Sequence, residues 1–404
     1  MIKEVNLIMK IMTKRILAIA LVAAMLVIGL TGCQNAGSEW KKSDDGKTIL
    51  EIGYIGPLTG EYANYGESVR NGALLAVEEI NAKGGFNNFV FQLLEEDSKA
   101  SVDEAATSYG RLIDKGMKVS LGGVLSGENK SVVAAGKDDG LLILSASASA
   151  VDCIGEPNAF RLCFNDAQQG LIAAQAIADK KLATKVALLY DSGNDYCVGN
   201  VDTFKQKAPD LGITVVTEQT FTETTNTDFT TQLTAIENSG AELVFMPIYA
   251  AEAAKVLRQA AQMNLDVKWF GADGLDGLIG KCGENVADAE GVLLLTPFFA
   301  DSETGVAKTF TDAYKAKYGK TPDQFAADGY DCIYAIAKAL EAAELNGDNV
   351  LTMEITDFNA KLIAAMTKIE VVGATGTMKW TADGETVKTP MILEIKDGKT
   401  VIYN

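Results

Sequence analysis

From residue 48 onward the chain repeats one unit: an apolar run rich in β-formers, a loop of small residues, then apolar residues at helical spacing. Thr48 to Ile55 reads as the first strand and Gly56-Pro57-Leu58-Thr59-Gly60 as its loop. Val69, Ala73, Ala76, Val77 and Ile80 line one face of the helix that follows, and Asn81-Ala82-Lys83-Gly84-Gly85 ends it as a glycine cap does. Further strands read at 89–94, 119–124, 141–145, 185–190, 213–220, 241–247, 268–271 and 292–295. Helical patterns at 103–114, 168–178, 228–238, 250–263 and 329–343 separate most of them. Such alternation specifies an α/β fold with a mainly parallel sheet covered by helices on both faces. The strands are too many for one sheet, so two lobes are expected, and at about 100–200 residues per domain the 404 residues accommodate them.

In open parallel sheets ligands collect beyond the carboxyl ends of the strands, so those loops are where chemistry is sought. Two of them carry hydroxyls: Gly122-Gly123-Val124-Leu125-Ser126-Gly127 and Ser145-Ala146-Ser147-Ala148-Ser149. Small residues admit a ligand close to the backbone, and hydroxyls with free helix-start amides offer donors to an anion. Each loop alone also suits ordinary helix capping by serine.

Several chemistries are excluded. The chain has no histidine, which removes Ser-His and Cys-His catalysis, histidine zinc sites and histidine-ligated haem. A formal charge of −18 argues against binding nucleic acid, which needs a positive surface. No Gly-x-Gly-x-x-Gly stands at a strand–helix junction. Gly46-Lys47-Thr48 and Gly398-Lys399-Thr400 lack the upstream glycine of a phosphate loop, and Ser126 lacks the glycine of a nucleophile elbow. Glu95-Glu96-Asp97 is an acidic run at a strand end, without other residues at metal-ligand spacing, and reads as a solvated cluster. No catalytic residue, cofactor or metal is expected.

The first segment reads as an address. Lys14 and Arg15 precede the apolar stretch Ile16 to Leu30, too short for a membrane span and matched to a secretory signal core. It ends in Leu30-Thr31-Gly32-Cys33, which resembles the lipobox of bacterial lipoproteins, so Cys33 is the expected lipidation site and residues 1–32 the signal peptide. That segment carries +3, leaving −21 on the exported body; Met9 and Met12 are alternative starts. Residues 33–47 are polar and read as a tether from a lipid-anchored, extracytoplasmic position. Disulfides persist in that compartment, and Cys153 and Cys163, which flank a glycine- and proline-containing loop, are the candidates for a bridge or else two small buried hydrophobes. Cys332 lies in an apolar helix and reads as core.

The sequence resembles the branched-chain amino-acid binding proteins of bacterial ABC importers. The likeness is carried by Gly56-Pro57-Leu58-Thr59-Gly60 with Tyr65-Gly66, Asn71-Gly72-Ala73 and Glu79-Ile80-Asn81-Ala82-Lys83-Gly84-Gly85. It continues through Asp166-Ala167-Gln168-Gln169-Gly170, Phe270-Gly271-Ala272-Asp273-Gly274 and Ala326 to Asp331, over nearly the whole body. The resemblance implies the type I periplasmic-binding fold: two Rossmann-like lobes joined by three crossings, near residues 166, 297 and 373. Lobe 1 would take 48–165 and 297–372, and lobe 2 would take 166–296 and 373–404. It implies no enzyme but a monomeric receptor that delivers an amino acid to an ABC permease, with no nucleic acid and no membrane contact beyond the lipid. Amide, urea-like and aromatic-acid binders share the pattern.

By matching position, Tyr65 would close over the ligand side chain and Ser126 would bind the carboxylate. Ser147 and Ser149 match a pair that holds carboxylate and ammonium, while Tyr196 and Tyr249 would supply ring surface or a phenol bond from the second lobe. Asp273 matches the acid that pairs with the α-ammonium; leucine binders carry glutamate there, and Ser149 replaces a threonine. The chemistry agrees independently of the family, since a buried zwitterion needs partners for both charges. The competing class is an extracytoplasmic hydrolase using Asp195, Asp273 or the Glu95 cluster.

Overall fold

A computed structural model describes residues 39–404. The signal segment, Cys33 and residues 34–38 lie outside the described residues. Strand β1 (Thr48–Gly56) is buried along almost its whole length, as a strand covered on both faces must be. It pairs in parallel with β2 (Phe89–Asp97) on one side and β3 (Val119–Ser120) on the other; β4 (Ile143–Ser145) and β5 (Ala159–Arg161) complete a five-stranded sheet in the order β2-β1-β3-β4-β5. The second sheet repeats this winding. Its parallel part runs β7 (Thr214–Phe221), β6 (Lys185–Asp191), β8 (Leu243–Phe245), β9 (Lys268–Gly271), β10 (Leu293–Thr296). In each sheet the first strand lies between the second and third, so each has a topological switch point where loops diverge and a ligand fits.

Within the first lobe helix α1 (Ala63–Ala82) packs on the helix Gln324–Ala342, while its Tyr65 reaches the second lobe. A side chain at Gly72 would strike the Ala326 carbonyl, with Cβ 1.8 Å from that oxygen, and one at Gly329 the Val69 carbonyl at 2.1 Å. The two backbones approach so closely only because both positions are glycine.

The chain leaves the first sheet after β5 and starts helix Asp166–Asp179, where Asn165 and Gln168 cap each other's backbone N–H groups (2.9 and 3.0 Å). It returns after Thr296. The third crossing corrects the expectation at residue 373. Gly373-Ala374-Thr375 turns a hairpin, β11 (Glu370–Gly373) with β12 (Gly376–Lys379), and the chain stays on the first lobe. The Asp331 carboxylate accepts from Ala374 N, Thr375 N and Thr375 Oγ1 (2.6–2.9 Å). Beyond the hairpin, Trp380 Nε1 donates to the Arg161 carbonyl (2.8 Å) and Arg161 N to that of Gly384 (3.0 Å). Only at β13 (Met391–Lys396) does the chain join the second sheet, antiparallel to β10, with β14 (Lys399–Ile402) outside it.

Two further expectations change. The supposed tether is already packed from residue 40: the Trp40 ring lies 5.0 Å from Phe358 and 6.0 Å from Phe89, with Lys118 Nζ over its face at 5.5 Å. Ile49 N donates to the Lys41 carbonyl (2.8 Å), and Lys41 pairs with buried Glu51. Cys153 and Cys163 are free thiols; both are buried and both point at the Ala148 carbonyl, at 3.3 and 3.5 Å. Cys332 is buried in the core of its helix.

Replacing Trp40 by alanine should lower the unfolding free energy by about 1–2 kcal/mol, less than for a fully buried tryptophan because the ring is only half-buried. Urea denaturation measures this, and an unchanged midpoint would return the segment to a mere tether.

Candidate ligand-binding site

The hydroxyl loops of the first lobe are stitched to one another. Strand β3 stops at Ser120, short of the expected Val124, because Gly122 adopts φ +65° and turns the chain. The helix Ser126–Ala135 starts directly after the turn; Leu125 N donates to Glu128 Oε2 (3.2 Å), and Ser98 Oγ donates to Glu128 Oε1 (2.6 Å). Burial pushes the Glu128 carboxyl up to about 7. Ser126 Oγ accepts from the N–H groups of Ser149 and Ala150, both at 3.1 Å. Ser145 Oγ donates to the Gly123 carbonyl and Ser147 Oγ to that of Val124, both at 2.8 Å. Each loop thereby holds the other at the switch point of the first sheet.

The second lobe contributes rings and an acid from the corresponding strand ends. Tyr196 enters the first turn of the helix Asp195–Lys207, capped by Asn194 Oδ1 (3.1 Å), and Tyr249 immediately precedes the helix Ala250–Met263. Asp273 stands in a single turn after β9. Tyr196 Oη accepts from Gly274 N (2.9 Å), and its ring stacks on Tyr249 at 5.2 Å and 9°. Tyr65 reaches across from α1: its hydroxyl accepts from Ala250 N (2.8 Å) and donates to the Gly274 carbonyl (2.7 Å). The Tyr65 ring lies 5.2 Å from Tyr249 and 4.8 Å from Phe325.

All seven residues singled out from the sequence, Tyr65, Ser126, Ser147, Ser149, Tyr196, Tyr249 and Asp273, line one cavity between the lobes, with Val124, Leu125, Gly274 and Phe325. All seven are buried. The free space is about 10 Å³, roughly a single water, so a larger molecule enters only if the lobes part or the rings turn.

Burial pushes Asp273 from 3.8 up to about 6, opposed by Gln169, Gln324 and Tyr196 beside it. Its backbone N–H donates to Gln169 Oε1 (2.9 Å), while its Oδ2 has no hydrogen-bond partner. An unpartnered buried carboxylate oxygen in one cavity with the hydroxyl of Ser126, whose proton is still free to be given, is the arrangement that receives a cation attached to an anion. Gln169, Gln324 and Phe325 were not anticipated as site residues. Gln169 lies in a stretch noted only for its likeness to the family. Gln324 and Phe325 occupy a first helical turn that the expected start at Gly329 omits, although Asp323, whose Oδ1 caps Ala326 N (2.9 Å), marks it.

Of the carboxylates considered for hydrolysis, Asp273 lines this cavity, while Asp195 and the Glu95 cluster lie elsewhere. Asp195 is half-exposed and paired with Lys130 (3.3 Å), and Glu96 is held by Arg111 (2.7 Å) and Lys115. Asp97 orients the Leu58-Thr59 loop, accepting from Leu58 N (2.8 Å) and Thr59 Oγ1 (2.7 Å). Among the described residues no group of three or more His, Cys, Asp or Glu could hold a metal ion, and no helix is long and apolar enough to cross a membrane.

Two lobes of identical winding closed over a buried polar cavity define a two-lobed solute-binding protein. A sequence model of the periplasmic binding protein family matches residues 50–399, and the chain belongs to that family. The leucine-, isoleucine-, valine-, threonine- and alanine-binding protein of Pseudomonas aeruginosa is 28% identical over 296 residues, 73% of this chain and 78% of that protein. The branched-chain amino acid transporter substrate-binding protein of Streptococcus pneumoniae, solved with isoleucine, superposes with a TM-score of 0.78 at 28% identity, over 87% of this chain and 97% of that one. A solute-binding protein from R. palustris, solved with benzoate, shares the fold with a TM-score of 0.78 at 23% identity, over 88% and 95% of the two chains.

The Asp273 carboxyl titrates near 6 in the fold against an ordinary 3.8, so between those values the folded protein holds a proton that the unfolded chain has lost. Stability contributed by this group therefore falls as pH rises through that window and stays lower above it. Asp273→Asn should stabilise the ligand-free protein by on the order of 2–3 kcal/mol at about pH 8 and by little at about pH 4. Thermal melts at the two values test this; an equal effect at both would remove buried charge as its cause.

Proposed function

We propose that this family member captures an amino acid with an apolar, branched-chain-type side chain and hands it to an ABC permease without chemical change. The observation that carries the reading is the unpartnered Oδ2 of Asp273 on the second lobe, in the same buried cavity as Ser126, Ser147 and Ser149 of the first. Ser126 and the N–H groups at the start of the helix Ser126–Ala135 take the carboxylate, Asp273 takes the ammonium, and Tyr65, Tyr196, Tyr249 and Phe325 enclose the side chain. Only the closed form satisfies both ends, which couples binding to closure. The relatives from P. aeruginosa and S. pneumoniae support an amino-acid ligand. In the same reading the protein is a monomer outside the cytoplasm, held to the membrane by a lipid on Cys33, with a shorter leash than 33–47 because the chain is already packed at Trp40.

A second reading, a carboxylate without an ammonium, draws on the four-ring wall and on the fold shared with the benzoate-bound protein. Such a ligand has no use for Asp273. Calorimetry against the twenty amino acids and benzoate separates the two. An apolar amino acid should bind, and Asp273→Ala should weaken it by about 30-fold or more, the loss expected when a buried charge loses its partner. Affinity should also fall below about pH 6, as Asp273 takes up a proton. Binding of benzoate alone, or an Asp273→Ala protein of full affinity, would overturn the amino-acid assignment.

A further inference from the structure

A carboxylate taken out of water needs positive charge or donors aimed at it, yet no lysine or arginine lines the cavity. A guanidinium does stand behind the Ser147–Ser149 loop. Arg161 is the last residue of β5, paired with Ser145 at the end of β4, and its side chain is completely buried. Nη1 donates to the Ala148 carbonyl (3.1 Å) and Nη2 to that of Val151 (3.0 Å), so one rigid planar group holds the loop at two points. Nε lies 3.1 Å from Glu385 Oε2, an ion pair outside hydrogen-bond geometry. The segment that carries Glu385 also holds the Arg161 backbone, through Trp380 Nε1 and the Gly384 carbonyl.

The Ala148 carbonyl receives more than Arg161. The thiols of Cys153 and Cys163 also point at it (3.3 and 3.5 Å), which puts three donors on an oxygen with two lone pairs. The N–H of Ser149 belongs to the same planar trans peptide unit and points the opposite way. It donates to Ser126 Oγ (3.1 Å), and so does Ala150 N (3.1 Å). With both lone pairs engaged, Ser126 has only its proton left to give. Guanidinium, peptide and hydroxyl thus form one continuous chain of donors that ends in the cavity at Ser126.

We propose that Arg161 is a positioning residue for the ligand's carboxylate: its charge, carried through the Ala148–Ser149 peptide to the Ser126 hydroxyl, supplies the positive end of the site from outside the cavity. The proposal rests on the reading of Ser126 as the carboxylate's partner, which the amino-acid and aromatic-acid ligands share. A cation inside the cavity would pair with Asp273 and take the place of the ammonium. Placed behind the loop, Arg161 serves one end of the ligand and leaves Asp273 to the other. Glu385 is 24% exposed, so water screens its charge more than that of Arg161 and it offsets the guanidinium incompletely.

The test is the ratio of affinities for leucine and leucinamide, which share ammonium and side chain and differ in the anion, measured by displacement calorimetry. Benzoate against benzamide reads the same ratio if the protein takes the aromatic acid. Arg161→Met removes the charge and keeps the length; it should reduce the preference for the carboxylate about ten-fold, the scale of a buried charge acting across two hydrogen bonds. Arg161→Lys keeps the charge and should retain the preference to within about three-fold. Glu385→Gln removes the counter-charge from a partly exposed position and should raise the preference about two-fold. Leucine against valine, a pair that differs only in side chain, should keep its ratio in all three variants. A role confined to folding weakens leucine, leucinamide and valine alike and raises no preference; if Arg161→Met does not fold, Glu385→Gln decides alone. An unchanged ratio in Arg161→Met, or no rise in Glu385→Gln, would refute the positioning role while leaving the amino-acid reading intact. Failure of the unaltered protein to bind leucine, valine or benzoate would sink both.

Discussion

The hydroxyl of Tyr65 belongs to one lobe and has its partners in the other. It is buried with the rest of its side chain, accepts from Ala250 N and donates to the Gly274 carbonyl. These bonds exist only while the lobes are together, and a buried phenol or amide left without them is costly. Around this tie the other cross-lobe contacts are arranged. Gly274 passes its own N–H to Tyr196, and a Cβ there would lie 2.6 Å from Tyr196 Oη, so the turn after β9 is as tight as it can be. Farther out, Tyr62 donates to Glu252, and Lys255 pairs with Glu61 at 2.6 Å. Exposed pairs of the last kind contribute little in water. The closed form therefore depends mainly on its buried centre.

The repeated winding of the two sheets explains why hydroxyls and acid face each other. Both lobes point the carboxyl ends of their parallel strands at one cleft, so a loop after β3 or β4 meets a loop after β8 or β9. The first lobe brings serines and helix-start amides; the second brings aromatic rings and Asp273. The interior behind them is acidic: Asp166, Asp273, Asp276, Asp323 and Asp328 are all pushed upward by burial, Asp276 and Asp328 to about 7. Lys388 answers Asp328 at 3.1 Å, but among the described residues none of the ion pairs includes Asp273. A site built this way is prepared for a ligand that brings its own positive charge.

Much of this was legible in the residues. The alternation of apolar runs and helical faces announced parallel sheets, and the seven candidate residues proved to line one cavity, because loops at equivalent strand ends converge by topology. What the residues concealed followed from contacts distant in sequence. Gly373-Ala374-Thr375 carries the turn residues of a crossing, yet Asp331, more than forty residues earlier in the chain, receives its amides and makes it a hairpin. Residues 39–47 are polar enough for a tether, yet one tryptophan finds Phe89 and Phe358 and pins them. Cys153 and Cys163 are close enough to share the Ala148 carbonyl without being joined.

Residue chemistry and local periodicity were enough to establish an α/β body of two lobes, with no histidine to shuttle protons and with serines and an aspartate at strand ends. Local pattern carries that information because strands, helices and turns form from neighbours. Which hydroxyls give a proton and which accept one, which carboxylate oxygen remains unpartnered, and where the chain last changes lobes were decided only by folding. Each depends on groups brought within about 3 Å from opposite ends of the chain, and hydrogen-bond direction is settled by whichever partner arrives.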